Sequence, residues 1–323
     1  MKRRNVYIMM AGIVLTTVAV FAFIFTNQSR AIPTMPGLGA IGQEPRYTGT
    51  LYGDFNNPLE KPMDVATNGQ FIYVSDPNNH QVQILDNLGA TIFAFGGRGS
   101  GEGEFQFPYG LDFHQATATL YVADMYTGKI SIFTDKGEFI SYFEPGLEGE
   151  ESLRSPGGLR IVDEKVYVTD IQNNAIYVFD LAGNLLLTFG NGGSEPGEFV
   201  APNAIALDSE ANIYVSDSGN HRVQVFTKEG EFLRVINGSE GGIGNSIFVN
   251  PRGLAVDARD TLYVVNNLSH TVHGFDLDGN QLFTLGGMGQ GVNDFFLPNG
   301  LFIDQQNTIF ITDTLNQRVV MYR

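Results

Sequence analysis

The chain of 323 residues has no cysteine, no tryptophan and only 5 histidines. Without cysteine there can be no disulfide, thiolate nucleophile, Cys-ligated zinc, iron–sulfur cluster or covalently attached haem. The lack of tryptophan argues against repeat families signed by a Trp-Asp pair. Positive charge is scarce as well: 19 Lys and Arg face 35 Asp and Glu, a formal net of -16. Lys2, Arg3, Arg4 and Arg30 all lie in the first 30 residues, which contain no acid, so the remainder holds 15 basic against 35 acidic side chains. That surface repels phosphate backbones and anionic lipid, and no nucleic-acid partner is expected. What is abundant is Gly (39), Phe (25) and Pro (13), in a chain that is 43% hydrophobic. Many turns joining short, aromatic-rich strands produce such a mix; a helical bundle or a disordered chain does not.

The amino terminus differs from the rest. After a basic tail (residues 1–5), an uncharged run from Val6 to Phe25 reaches about 30 Å as a helix, the thickness of a bilayer core. Residues 6–26 are therefore predicted to be a transmembrane signal anchor, with the tail cytoplasmic and the carboxyl side extracytoplasmic. The alternative is a cleaved signal peptide, with Ser29-Arg30-Ala31 as a loose small-x-small site and a secreted product beginning near Ala31. Residues 27–45, with Pro33, Pro36, Gly37, Gly39, Gly42 and Pro45, read as a stiff linker without a core of its own.

From residue 46 to 323 the chain keeps one period. Segments such as IYVSDPNNHQVQIL (72–85), VYVTDIQNNAIYVF (166–179) and IYVSDSGNHRVQVF (213–226) align on Asp76, Asp124, Asp170, Asp217, Asn266 and Asp313, spaced by 48, 46, 47, 49 and 47 residues. Pro62, Pro108, Pro156, Pro202, Pro251 and Pro298 keep step with them, each opening a short apolar strand. Two marks in register six times predict six units of four strands, the blades of an all-β, six-bladed β-propeller. The chain stops in a third strand, so the missing fourth strand of the last blade is expected from Tyr47–Tyr52, which would close the ring.

Asp217 to Phe226, reading DSGNHRVQVF, resembles the consensus of NHL-repeat propellers, and so does the loop GNGGSEPGEF from Gly190 to Phe199. The resemblance covers residues 46–323 and implies the NHL type of six-bladed propeller, in its exported or membrane-anchored bacterial form. NHL propellers include RNA-binding ligase subunits, extracellular lyases and sensor domains of membrane kinases, so the fold does not choose a function. The ligase type needs Cys-rich zinc domains and the RNA-binding type a basic surface; this sequence has neither.

Inner-strand starts and second-strand ends share one face of a propeller, where a ligand of the central funnel is expected. The residues directly after each blade Pro are Met63, Tyr109, Gly157, Asn203, Arg252 and Asn299. Tyr109, Asn203, Arg252 and Asn299 are the predicted ligand-binding set, with Arg252 suited to a carboxylate. The lyase branch of the family, as the resemblance implies, would place metal-binding His near these starts, and none is there. The lactonase type would use oxygens around one divalent ion; Asp64, Asn203 and Asn299 are the candidates for calcium or magnesium. His80, His221 and His270 each follow the blade Asp or Asn by four residues and are read as corner residues before a tri-histidine metal site. The repeated Asp/Asn positions are read as structural caps, since one reaction at an asymmetric centre does not require five copies of a carboxylate. No catalytic residue and no resident cofactor is predicted. The expectation is a membrane-tethered, extracytoplasmic, non-catalytic module binding a protein, peptide or glycan; the alternative is a metal-dependent lactonase- or lyase-like enzyme using the channel.

Overall fold

The computed structural model describes residues 44–147 and 152–323. The expected tail, membrane anchor and most of the linker lie outside the described residues. Among those described, no helix is long and apolar enough to cross a membrane.

Six four-stranded antiparallel sheets follow one another, as the repeat predicts. Their inner strands begin at or just after the blade prolines: Val65–Thr67, Pro108–His114, Pro156–Val162, Pro202–Leu207, Pro251–Val256 and Pro298–Ile303. The second strands end on the repeated acid or amide, at Asp76, Asp124, Asp170, Asp217, Asn266 and Asp313. Third and outer strands pair by short hairpins whose chemistry is local. Asp86 accepts the backbone N–H groups of Leu88 and Ala90, both at 2.9 Å, while Gly89 takes φ +89°, a conformation costly for a side-chain-bearing residue.

The ring closes as expected. Tyr47–Leu51 is the outer strand of blade six and pairs with Arg318–Tyr322, placing Leu51 opposite Val319. Arg46 and Arg323 exchange backbone hydrogen bonds of 2.8 Å in both directions. Only a two-residue hairpin, Gly53–Asp54 with Asn57–Pro58, intervenes before blade one.

The core lies between blades. Phe105, Phe199 and Phe295 descend from the Gly-rich loops and are fully buried. Phe105 sits with Phe95 and Phe133, and Phe199 with Phe189 and Phe226, at centroid distances of 4.6 to 6.4 Å. Each buried ring contributes about 2–3 kcal/mol. Near the axis the inner strands come closer than side chains allow. A Cβ on Gly110 would lie 2.1 Å from the Gly157 carbonyl oxygen, and one on Gly158 2.6 Å from that of Asn203. Glycine two residues after the blade Pro is therefore a packing requirement in blades two, three, five and six, while blade one carries Asp64 there and blade four Ala204.

Candidate functional site

The repeated acids are buried caps. Asp124 accepts N–H groups from Gln106 and Phe107, in the loop before the inner strand, and from Tyr126 and Thr127 in the corner after the second strand. Asp170 does the same with Arg154, Ser155, Gln172 and Asn173. The sequence pointed to backbone N–H groups of the following corner, which holds in blades two and three; in blades one, four and six the carboxylate caps backbone only in the preceding loop and meets the corner through the side chain of Asn79, Asn220 or Asn316. Asp217 and Asp313 also hold Arg222 and Arg318, at 2.8 and 2.7 Å.

His80, His221 and His270 occupy left-handed corners, with φ of 52°, 55° and 59°. Each ring reaches the next blade: His80 Nδ1 lies 2.8 Å from the Gln106 carbonyl oxygen, and His270 Nδ1 accepts the Leu297 N–H at 3.0 Å. They are inter-blade ties in three different blades. Among the described residues no group of three or more His, Cys, Asp or Glu is placed to hold a metal.

The four residues predicted to form the funnel do meet, in a knot across the axis. The Tyr109 hydroxyl donates to Asn203 Oδ1 at 3.0 Å, lies 3.3 Å from the Asn299 amide, and accepts from Arg252 Nη1 at 3.0 Å. Blade two thereby touches blades four, five and six. Tyr109, Asn203 and Asn299 are only 3%, 3% and 4% exposed. The funnel at the starting ends of the inner strands is thus filled by its own side chains, and Arg252 is the one member with part of its surface outside. Among the described residues Arg252 has no carboxylate partner.

Behind the knot, Asp64, Asn203 and Asn299 line a void of about 10 Å³ together with Tyr109 and Arg160. The sequence offers these three oxygens for a divalent ion, but they do not fit one as arranged. Arg160 Nη1 contacts Asp64 at 3.0 Å, and the same carboxylate accepts the Leu111 N–H at 3.2 Å. Both amide oxygens face the Tyr109 hydroxyl. A guanidinium already supplies the positive charge on the axis.

Arg160 was not singled out by the sequence, and neither was Asp112. Arg160 reaches from blade three to the Leu111 and Leu301 carbonyl oxygens, at 3.3 and 3.0 Å, besides Asp64. Asp112, 6% exposed, accepts N–H groups from Phe113 at 2.8 Å and Ile161 at 2.7 Å. Burial pushes its carboxyl up to about 6, against the opposing pull of Arg160 and the two N–H groups; Asp64 adds to the rise. Burial disfavours the Arg160 cation too, but Asp64 and Asp112 outweigh that and raise its pKa. The two directions agree physically: Asp64 takes up most of the guanidinium's charge, and Asp112 is left as the poorly compensated group. A signal for both existed. Four residues after the blade Pro stand Ala66, Asp112, Arg160, Ala206, Ala255 and Phe302, so two blades carry charge where three carry alanine.

Asp112 and Arg160 form the floor of a cavity of about 380 Å³ at the carboxyl ends of the inner strands, the end opposite the knot. Its walls include Ala206, Ala255, Val256 and Phe302, and its rim Asp208 and Asp304. The sequence led to the other face, where Tyr109 fills the axis. His273, in a third strand, is buried and held neutral, its pKa pushed down to about 4 by burial.

A family described as 6-bladed beta-propeller matches residues 147–238 and 252–323, about half of the chain. Protein brain tumor of Drosophila melanogaster is 29% identical over 171 residues, which take in 51% of this chain and 16% of that protein. NHL repeat-containing protein 3 of Homo sapiens is 31% identical over 102 residues, 29% of each. The matches thus span less than a third of either relative. Among solved structures, a gluconolactonase from Xanthomonas campestris superimposes with a TM-score of 0.61 at 17% identity, covering 91% of this chain and 100% of that one. The virginiamycin B lyase of Staphylococcus aureus gives 0.56 at 13% identity, covering 86% and 88%. At such identities the likeness is one of fold.

Proposed function

We propose, for a chain that belongs to the 6-bladed beta-propeller family and carries NHL-type repeats, a role as a membrane-tethered, extracytoplasmic module of the exported bacterial type that captures a partner and performs no chemistry. The observation that carries this reading is Arg252: a guanidinium at the centre of one face, held by Tyr109 at 3.0 Å, without a carboxylate of its own. Exposed aromatic and aliphatic side chains stand on elements of the same face. Tyr126, Leu268 and Leu315 are exposed on corners after second strands, and Val200 and Val249 on the loops before inner strands. Arginine amid exposed apolar and aromatic groups is the composition of a docking patch. The matching partner is a protein or peptide presenting a carboxylate within an apolar segment; a glycan acid is the third chemistry that Arg252 would accept.

The tether rests on the sequence, on Lys2, Arg3 and Arg4 ahead of the uncharged run Val6 to Phe25. The enzyme alternative has lyase and gluconolactonase propellers as fold neighbours, but the axial donors are committed to Arg160 and Tyr109. The test is a cross-linked pull-down from membranes with the full chain, comparing wild type with Arg252→Ala and Leu268→Asp. Loss of the same partner in both variants supports the reading, and an unchanged partner set removes this face. Alkaline extraction and protease added outside intact cells test the tether: a chain that is washed off, or that stays protected, would contradict it.

A further inference from the structure

The structure assigns a second binding site to the cavity at the opposite mouth, and its chemistry points to a small organic cation, an ammonium on an apolar body. This goes beyond the docking face and does not depend on it.

The argument starts from charge. Among the groups at the floor, Arg160 has both terminal nitrogens engaged: they contact Asp64 at 3.0 Å and donate to the carbonyl oxygens of Leu159, Leu111 and Leu301 at 2.7, 3.3 and 3.0 Å. Asp112 has only two backbone N–H groups and no ion-pair partner within 4.0 Å among the described residues. Asp208 and Asp304 face the same cavity from blades four and six. Counting Asp64 beneath, four carboxylates meet one guanidinium, in a chain already rich in acid. An entering anion would meet that excess of carboxylates, and both terminal nitrogens of Arg160 are already engaged. A cation would find a buried carboxylate whose charge is otherwise poorly compensated.

The walls add the second half of the recognition. Ala206 and Ala255 stand where blades two, three and six carry Asp112, Arg160 and Phe302, and their small side chains leave the space. Phe302 lines the cavity as well, an aromatic wall with Arg160 over its ring at 5.9 Å from the centroid. A cavity of about 380 Å³ falls within the range of small-molecule sites, at the lower end. Aliphatic walls, an aromatic ring and a carboxylate floor together suit an amine with an apolar body.

The test uses three probes of one shape: 2-phenylethylammonium, 2-phenylethanol and phenylacetate, titrated into the full chain by ligand-observed NMR. The expected order is ammonium first, at least tenfold tighter than the alcohol, with phenylacetate not binding. Lowering the pH from 7.5 to 5 should weaken ammonium binding about tenfold as Asp112 takes a proton beside Arg160 and Asp64, with Asp208 and Asp304 at the rim. Asp112→Asn should abolish the preference for ammonium, whereas Arg252→Ala should leave it unchanged and lose only the partner of the docking face. Phenylacetate binding as well as the ammonium, or an Asp112→Asn chain that keeps the tenfold preference, would overturn the assignment. Should that variant not fold, the three probes on the wild-type chain still decide.

Discussion

The two ends of the axis are built from the same six strands and come out opposite. At the starting ends Tyr109 crosses the ring and ties Asn203, Arg252 and Asn299 into a closed knot. At the carboxyl ends alanines at 206 and 255 leave a cavity over a buried acid. A six-fold repeat makes a tube by default; what each mouth does depends on the few positions where the blades stop being alike. One long polar side chain closes an end, and two small ones open the other. The charge pair between them, Asp64 with Arg160, separates the ends.

The sharpest way to break this comparison is to cut that partition. Arg160→Met leaves Asp64 a buried, unpaired carboxylate and should cost about 3–5 kcal/mol in urea unfolding. Adding Asp64→Leu should recover most of the loss, because an apolar pair replaces two desolvated charges; a single variant costing under about 1 kcal/mol would deny the pair its role. Next in size is the open mouth's acid. Asp112 holds its proton more readily folded than unfolded, so its contribution to stability falls as pH rises from about 4 through about 6. Relative to Asp112→Asn, wild type should lose about 2 kcal/mol between pH 4 and pH 7, read from denaturation midpoints across that range. A flat difference would mean the carboxyl is not buried as described. At the closed mouth, Tyr109→Phe strips the hydroxyl from three polar side chains and should cost about 2 kcal/mol, with the cavity and its probe binding untouched. The smallest effect belongs to Arg252→Ala, which should change unfolding by less than about 1 kcal/mol while losing the partner; a strongly destabilised variant would make Arg252 part of the scaffold instead.

The fold was legible because its causes recur. Asp76, Asp124 and Asp170 each cap the loop before their own inner strand and hold the corner after the second strand, Asp76 through the Asn79 side chain and the other two through backbone N–H groups, all within about twenty residues. Four of the six repeats also carry glycine two residues after the blade Pro, where the neighbouring strand leaves no room. Tyr109, Asn203, Arg252 and Asn299 could be placed on one face by counting from proline, but not whether they would leave a funnel or fill it. That depends on reach: a tyrosine spans the axis and an asparagine does not. Arg160 and Asp64 are 96 residues apart and on blades one and three, and no local pattern joins them. The only trace of Arg160 was a charge in a column where three blades carry alanine.

Sequence alone determined the number of blades, the strand order within each, the closing strand and the place of the repeated acid in each blade, because each is marked by a pattern that recurs at one period or is left incomplete at its end. Tertiary structure decided which mouth is shut, which is open and which acid is left uncompensated. Those outcomes turn on how far side chains from opposite blades extend toward a common axis, a distance set only once the ring has closed.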